Sequence, residues 1–278
     1  MTYDELGRVK ARGLTDPSPQ FVMGMTYNLL GRLTTLASVP GAVPIGTFGW
    51  TYLNSTGRPL TVTYPNGQDS RYTYFGGTSD PTNDPRLKQI KYEQVSNGTV
   101  LSQFDYTYDA VGNISTWRQQ LGASQPKTYT FGYDGADQLK SAVVSGPTPL
   151  PLPSRYLWGY DAAGNRLSKA RDDVPTGATY NNRNELLSQA GGGVLPVGGS
   201  VSEFATVTAN GAPAQLDASN NFSGTATVPS GNSNLTVVAK DPSGNQRTNV
   251  YTVPVGTASQ TFTYDPNGNL TGDGTKTI

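Results

Sequence analysis

The stretch Tyr156–Lys169, YLWGYDAAGNRLSK, decides the fold. Its aromatics at alternate positions, Tyr156, Trp158 and Tyr160, fall on one face of a strand because side chains alternate with a period of two. Asp161 then opens a type I turn with a local hydrogen bond from its short side chain. Gly164 stands where the chain needs a positive φ to close a bulged hairpin. Leu167 belongs to the returning strand. The segment reads as one β-hairpin.

The same grammar recurs outward in both directions. Turn-initiating tyrosines stand at Tyr3 (YDELGRV), Tyr27 (YNLLGRL), Tyr52 (YLNSTGRPL), Tyr64 (YPNG), Tyr108 (YDAVGNI), Tyr133 (YDGADQL), Tyr180 (YNNRNEL) and Tyr264 (YDPNGNL). Several steps between neighbours are nearly constant, such as Tyr3 to Tyr27, Tyr27 to Tyr52 and Tyr108 to Tyr133. Each holds two ordinary strands with their turns, the mark of a repeat protein. The 44-residue gap from Tyr64 to Tyr108 is read as two eroded units, with Arg86-Leu87 in place of a GRL. Alternating aromatics precede other turns too: Phe48, Trp50, Tyr52; Phe104, Tyr106, Tyr108; Tyr129, Phe131, Tyr133; and Phe262, Tyr264. Side by side, such strands form aromatic ladders, each cross-strand pair contributing roughly 0.2–1 kcal/mol. Tyr27, Gly31, Tyr108, Asp109, Gly112, Tyr133, Asp134, Tyr160, Asp161, Gly164, Tyr264, Asp265 and Gly268 are accordingly assigned to turns and ladders. The stripes can also be read as sugar-stacking platforms, but packing needs the same residues in every unit.

Composition agrees with an all-β chain. Of 278 residues only 14% are charged, while 16 Tyr and 33 Gly favour strands and tight turns over helices. With no His and no Cys, a Ser-His-Asp triad, a thiolate nucleophile and a Cys/His zinc site are excluded. Zero net charge without a Lys/Arg cluster gives no footprint for nucleic acid or an anionic membrane. No run approaches the ~20 apolar residues of a membrane span, and Met1 leads into a turn rather than a signal peptide.

Two stretches break the period. Gly146–Pro153, GPTPLPLP, reads as an extended connection, with a polyproline ligand as the lesser alternative. The step from Tyr180 to Tyr264 is 84 residues, and its middle changes grammar. Strand-like segments Ala205–Ala209, Phe222–Val228, Leu235–Lys240 and Asn249–Val255 are separated by Asn210-Gly211, Asp217–Asn220, Ser230-Gly231-Asn232 and Asp241–Asn245. Short strands with frequent turns predict a small β-sandwich, its core supplied largely by Phe222, Leu235, Val237 and Val253. The domains expected are repeats at 1–191, an insert at 192–256 and the repeat resumed at 257–278, the repeats making one continuous antiparallel sheet.

The units YDELGRV, YNLLGRL, YDAVGNI, YDAAGNRL and YDPNGNL resemble the YD repeats of the RHS/teneurin-like superfamily, over about three quarters of the chain. The segment from Thr206 to Val255 resembles a bacterial immunoglobulin-like module. This resemblance implies a β-sheet ribbon winding as part of a spiral hollow shell, with the module inserted in it. It further implies a secreted or cell-surface protein whose shell encloses a C-terminal toxin domain in intercellular competition. The alternative within the family is surface adhesion or carbohydrate binding. The partners implied are the remainder of a longer chain, a toxin cargo, or a surface carbohydrate or protein. The family's self-cleavage aspartates find no counterpart, since Asp265-Pro266 reads as a repeat turn, and the chain is read as a fragment of a longer protein.

Carboxylates are the remaining acid/base candidates, and most Asp residues sit in turns at repeat spacing along one rim. A glycosidase needs two carboxyls facing each other about 5–10 Å apart, so no catalytic residue is assigned. Asp217 and Asp241 could contribute oxygens to Ca²⁺, yet Asx turns explain them without metal, and no metal or cofactor is expected. Asn54-Ser55-Thr56, Asn97-Gly98-Thr99 and Asn234-Leu235-Thr236 match glycosylation acceptors of the kind Asn/Thr-rich turns produce by chance.

Overall fold

The computed structural model describes residues 1–14, 21–39, 44–54, 56–76, 84–148, 154–231 and 233–276. Every regular element among them is a β-strand, and the fold is all-β and antiparallel. Two compact units divide the chain, Met1–Thr128 and Tyr129–Ile278. Five of the expected polyproline-like residues (149–153), Ser55 of the first acceptor match, Asn232 and the last two residues lie outside the described ones.

The first unit contains β1 (Thr2–Tyr3), β2 (Val9–Leu14), β3 (Phe21–Tyr27), β4 (Leu33–Ser38), β5 (Thr47–Tyr52), β6 (Pro59–Thr63), β7 (Gln68–Tyr74), β8 (Leu87–Gln94), β9 (Val100–Tyr108) and β10 (Ile114–Leu121). Each pairs antiparallel with the next, so connections alternate between two rims. One rim carries the repeat turns. At Tyr27 the next residue's N–H, that of Asn28, donates to the Arg32 carbonyl at 2.9 Å, and Gly31 N–H returns to Asn28 at 2.9 Å. The ladder slips register at Tyr27, Tyr52 and Tyr74, the bulge that a left-handed residue after a type I turn produces.

The eroded-unit reading is corrected here. Tyr64 closes its turn on the opposite rim, with Gly67 N–H donating to its carbonyl at 3.2 Å. The residue in the repeat position is Tyr74, whose successor Phe75 bonds the Arg86 carbonyl at 3.0 Å. Any Tyr followed by Pro-Asn-Gly closes a hairpin, and β6 is short enough that both turns look like one series. One unit with a longer connection fills the gap, and Arg86 takes the place of a GRL arginine.

β11 (Lys127–Tyr133) spans the boundary, and the second unit continues with β12 (Leu139–Ser145), β13 (Arg155–Tyr160), β14 (Arg166–Arg171), β15 (Val174–Tyr180) and β16 (Leu186–Gly191). From β12 onward each pairs with its successor. The hairpin of β13 and β14 closes as its residues demand. Asp161 N–H donates to Asn165 at 2.9 Å, Gly164 N–H to Asp161 at 3.1 Å, and Gly164 has φ 86°. Tyr156 and Trp158 stack at 5.7 Å on one face.

A separate sheet follows: β17 (Gly193–Ser200), β18 (Thr206–Ala209), β19 (Ala212–Leu216), β20 (Asn221–Val228), β21 (Ser233–Lys240) and β22 (Gln246–Val253), in the order β17-β20-β19-β18-β21-β22. Asn210 and Gly211, both at positive φ, join β18 to β19 as a two-residue turn. Leu195, Ala209, Ala226, Val228, Leu235, Val253 and Val255 form its buried core with Val237 against it. Phe222 is only half-buried, its ring lying over Gly199, so the expected place of Phe222 in the core is corrected. Alanines and valines of neighbouring strands fill the core instead. Ala170 of β14 belongs to the same cluster, and Leu157 of β13 packs on it.

The neck is built of glycine. A Cβ on Gly191 would lie 1.7 Å from the Gly256 carbonyl oxygen, and one on Gly193 would lie 2.6 Å from Gly177 Cα. The repeat then resumes: β23 (Ser259–Thr261) pairs antiparallel with β16, and β24 (Thr263–Tyr264) and β25 (Leu270–Gly272) make a last hairpin.

Candidate functional site

The most regular constellation is the rim of repeat turns. Tyr27, Tyr52, Tyr74, Tyr108, Tyr160 and Tyr180, each before a turn, reach back to the preceding turn on the rim and donate the hydroxyl hydrogen to the carbonyl where the returning strand begins. Tyr27 bonds Val9 at 2.8 Å, Tyr52 bonds Leu33 at 2.6 Å and Tyr74 bonds Pro59 at 3.0 Å. Tyr108 bonds Leu87 at 2.8 Å, Tyr160 bonds Leu139 at 2.9 Å and Tyr180 bonds Arg166 at 3.3 Å. A hydrogen bond of this kind stabilises by about 1 kcal/mol.

In the first unit the arginine of the preceding turn covers the same ring. Arg8 lies 4.7 Å from the Tyr27 centroid, Arg32 4.7 Å from Tyr52, Arg58 5.5 Å from Tyr74 and Arg86 4.9 Å from Tyr108. Arg32 and Arg86 also donate to the next turn, to the Asn54 and Asp109 carbonyls, both at 3.1 Å. In the second unit Arg183 bonds the Pro266 carbonyl at 3.2 Å, tying the Asn181 turn to the Asp265 turn. Sequence reasoning had quoted these arginines without giving them a role. For Arg8, Arg32, Arg58 and Arg86 the signal is their constant place directly before the apolar residue whose carbonyl the next tyrosine takes.

The rim carboxylates are consumed by their own turns. Asp161 Oδ1 accepts the N–H groups of Ala163 and Asn165, and Oδ2 accepts the Asn165 amide at 2.9 Å. Asp265 repeats this with Asn267 and Asn269. Asp134 Oδ1 accepts from Ala136 and Gln138, and Asp109 Oδ1 from Val111, Gly112 and Asn113. The side-chain amide of the neighbouring asparagine, then backbone N–H groups, hold the Asp161 and Asp265 carboxyls below the ordinary aspartate range. At Asp109 partial desolvation pushes upward, but the Asn113 and Gly112 donors outweigh it. A general acid near neutral pH needs the opposite shift. Gly31, Gly112 and Gly268 have φ 75°, 104° and 85°. After Tyr133 it is Asp137, at φ 60°, that takes the left-handed position. Tyr264 pairs with Leu270 across its bulge.

Aromatic contacts follow the expected ladder only in part. Tyr92, Phe104 and Trp117 make a cross-strand series over β8–β10, at 6.4 Å and 6.3 Å. Elsewhere rings stack along a strand, as Phe48 on Trp50 and Tyr129 on Phe131 do. The residue opposite Trp50 is Val62, and opposite Trp158 it is Lys169, so no ring faces either from that partner strand.

Asp217 and Asp241 spend their oxygens on Asn221 and Asn245. Among the described residues no group of three or more His, Cys, Asp or Glu is placed to hold a metal ion, and no helix is long and apolar enough to cross a membrane. A half-open cleft of about 840 Å³ runs along the insert, its apolar wall including Leu195, Val207, Leu235 and Val253.

Fold and rim together define an all-β repeat protein of bulged hairpins stitched turn to turn. No protein-family model matches the chain, and no curated protein matches it. Among solved structures it aligns with the crystal structure of TcdB2-TccC3 at 13% identity and with TcdB2-TccC3 without its hypervariable C-terminal region at 12%, each with a TM-score of 0.38. Either alignment covers 98% of this chain and 19% of the other, so the chain spans about a fifth of the length of the solved chains it matches.

Proposed function

We propose that the chain is a non-catalytic segment of a β-shell, part of a longer, secreted or surface-exposed bacterial RHS/YD-repeat protein of the type that encloses a C-terminal toxin. The observation that carries this reading is the use of the rim. Its tyrosine hydroxyls and arginines are spent joining one hairpin to the next and its turn carboxylates on closing their own turns, which is what a load-spreading wall requires. The partners proposed are the rest of its own chain and the enclosed domain. The half-exposed aromatic faces favour a second reading, carbohydrate binding at a cell surface, and the inserted module would then be a display element.

Expressing the chain with the polypeptide encoded after Ile278 and probing it with protease tests the first reading. The downstream segment should resist cleavage when attached to the repeats and be digested when expressed alone. Equal digestion in both forms, with saturable glycan binding, would favour the second.

A further inference from the structure

Strand β14, RLSKAR, departs from its counterparts. Opposite Trp50 of β5 stands Val62, and opposite Met25 of β3 stands Leu36. Opposite Trp158 and Tyr156 of β13 stand Lys169 and Arg171. Arg166, beside them, occupies the place of Val9, Leu33 and Leu139 after the turn. The Arg166 place is apolar in the other repeats, while the Lys169 and Arg171 places are mixed, with Leu36 and Val62 in some and Ser38 opposite Met23 or Gln119 opposite Phe104 in others; this strand fills all three with cations. Among the described residues none of the three side chains has an ion pair. The nearby acids of the β14–β15 turn are already engaged, Asp172 by Ser154 and Arg155 and Asp173 by Arg155.

These cations border a hollow of about 470 Å³ with Thr176 and Gln189 on its wall. The register places Thr176 directly across from Lys169 on β15. Flanking them on β13 is a nearly parallel ring pair, Tyr156 on Trp158 at 6°. Burial, then the positive charges of Arg171 and Arg166, push the Lys169 ammonium below its ordinary value, so an anion would relieve it.

We infer that this hollow binds a carboxylated saccharide of the uronate class, with Lys169 and Arg171 on the carboxylate, Arg166 at its edge, Thr176 and Gln189 on hydroxyls, and the Tyr156–Trp158 pair beside a sugar face. Arginine and lysine supply the charge-assisted bonds, and amide and hydroxyl groups give the orientation. This goes beyond the scaffold reading and stands without it.

Isothermal titration of the full chain with digalacturonate tests it, with galactobiose, inorganic phosphate and a poly-glutamate peptide as comparisons. The expected result is saturable binding of digalacturonate, at least tenfold weaker binding of galactobiose and phosphate, and at least tenfold loss in Lys169→Gln/Arg171→Gln with the circular dichroism unchanged. Should that double variant fail to fold, Arg166→Gln, at an exposed position, is expected to weaken binding severalfold. Absence of digalacturonate binding, equal binding of phosphate or galactobiose, tighter binding of poly-glutamate, or affinity unchanged in the variants would each overturn the assignment.

Discussion

The repeat hairpins and the inserted sheet are both antiparallel, yet they are held together differently. In the insert, Val207, Ala209, Ala226 and Val228 are almost fully buried. In the repeats most strand residues remain half-buried, and few apolar side chains, such as Ala142, Val144 and Ala170, are removed from water to a similar degree. What the hairpins lack in core they gain from tyrosine hydroxyls, arginine-covered rings and satisfied turns, each joining one unit to its neighbour. A stack of nearest-neighbour contacts should fail unit by unit, whereas one shared aliphatic core should fail at once.

The largest effect is expected where the two regions meet. Gly191→Ala would drive a methyl group into the Gly256 carbonyl, so the chain entering the insert must part from the chain leaving it. We expect a loss of about 3 kcal/mol or more in urea unfolding, at the upper end for overpacked sites. An unchanged midpoint would mean that the neck is looser than its geometry.

Gly164→Val comes next, at about 1–3 kcal/mol, because a β-branched residue is forced to a positive φ. The damage should stay within the β13–β14 hairpin and leave the insert's unfolding midpoint in place.

Smaller again is the tyrosine lock. Tyr108→Phe should cost about 1 kcal/mol by leaving the Leu87 carbonyl without its donor. Arg86→Ala should cost a further 0.5–1 kcal/mol or so through the lost ring contact. Measured in a double-mutant cycle, the two should be non-additive, since both act on one ring.

These differences explain what the sequence could and could not reveal. Asp161, Gly164 and the alternating aromatics are local signals, and they named strand, turn and bulge without any knowledge of neighbours. The tyrosine lock depends on which turn lies beside which, and that register is set by strand lengths in the previous unit; hence the sequence points to Tyr64 where the structure places the repeat turn after Tyr74. Strands β17 and β19 are not legible in the sequence because Pro196, Gly198, Gly199 and Pro213 interrupt their strand-forming residues. Their partner β20 makes them strands. Turns at Asn210-Gly211 and Asp217–Asn220 were legible for the same local reason as the repeat turns.

The smallest effect belongs to the rim carboxylates. Asp161→Asn should shift stability by no more than about 0.5 kcal/mol at neutral pH, since asparagine serves the same turn. Acid should reveal the difference. The folded-state values of Asp161 and Asp265 are depressed, so the unfolded chain binds more protons, and their contribution is present above about pH 4 and lost as pH falls through the lower folded value. The parent's stability should therefore decline more steeply below pH 4 than that of the Asp161→Asn variant.

Hydrogen exchange in rising urea, read strand by strand by mass spectrometry, addresses the contrast between the two regions most directly. Amides of β18, β20 and β21 are expected to lose protection together through one opening. Repeat strands should lose it serially, and Tyr108→Phe should speed exchange in β8 and β9 while leaving the insert unchanged. A single common opening for repeats and insert, shifted equally everywhere by Tyr108→Phe, would contradict the account.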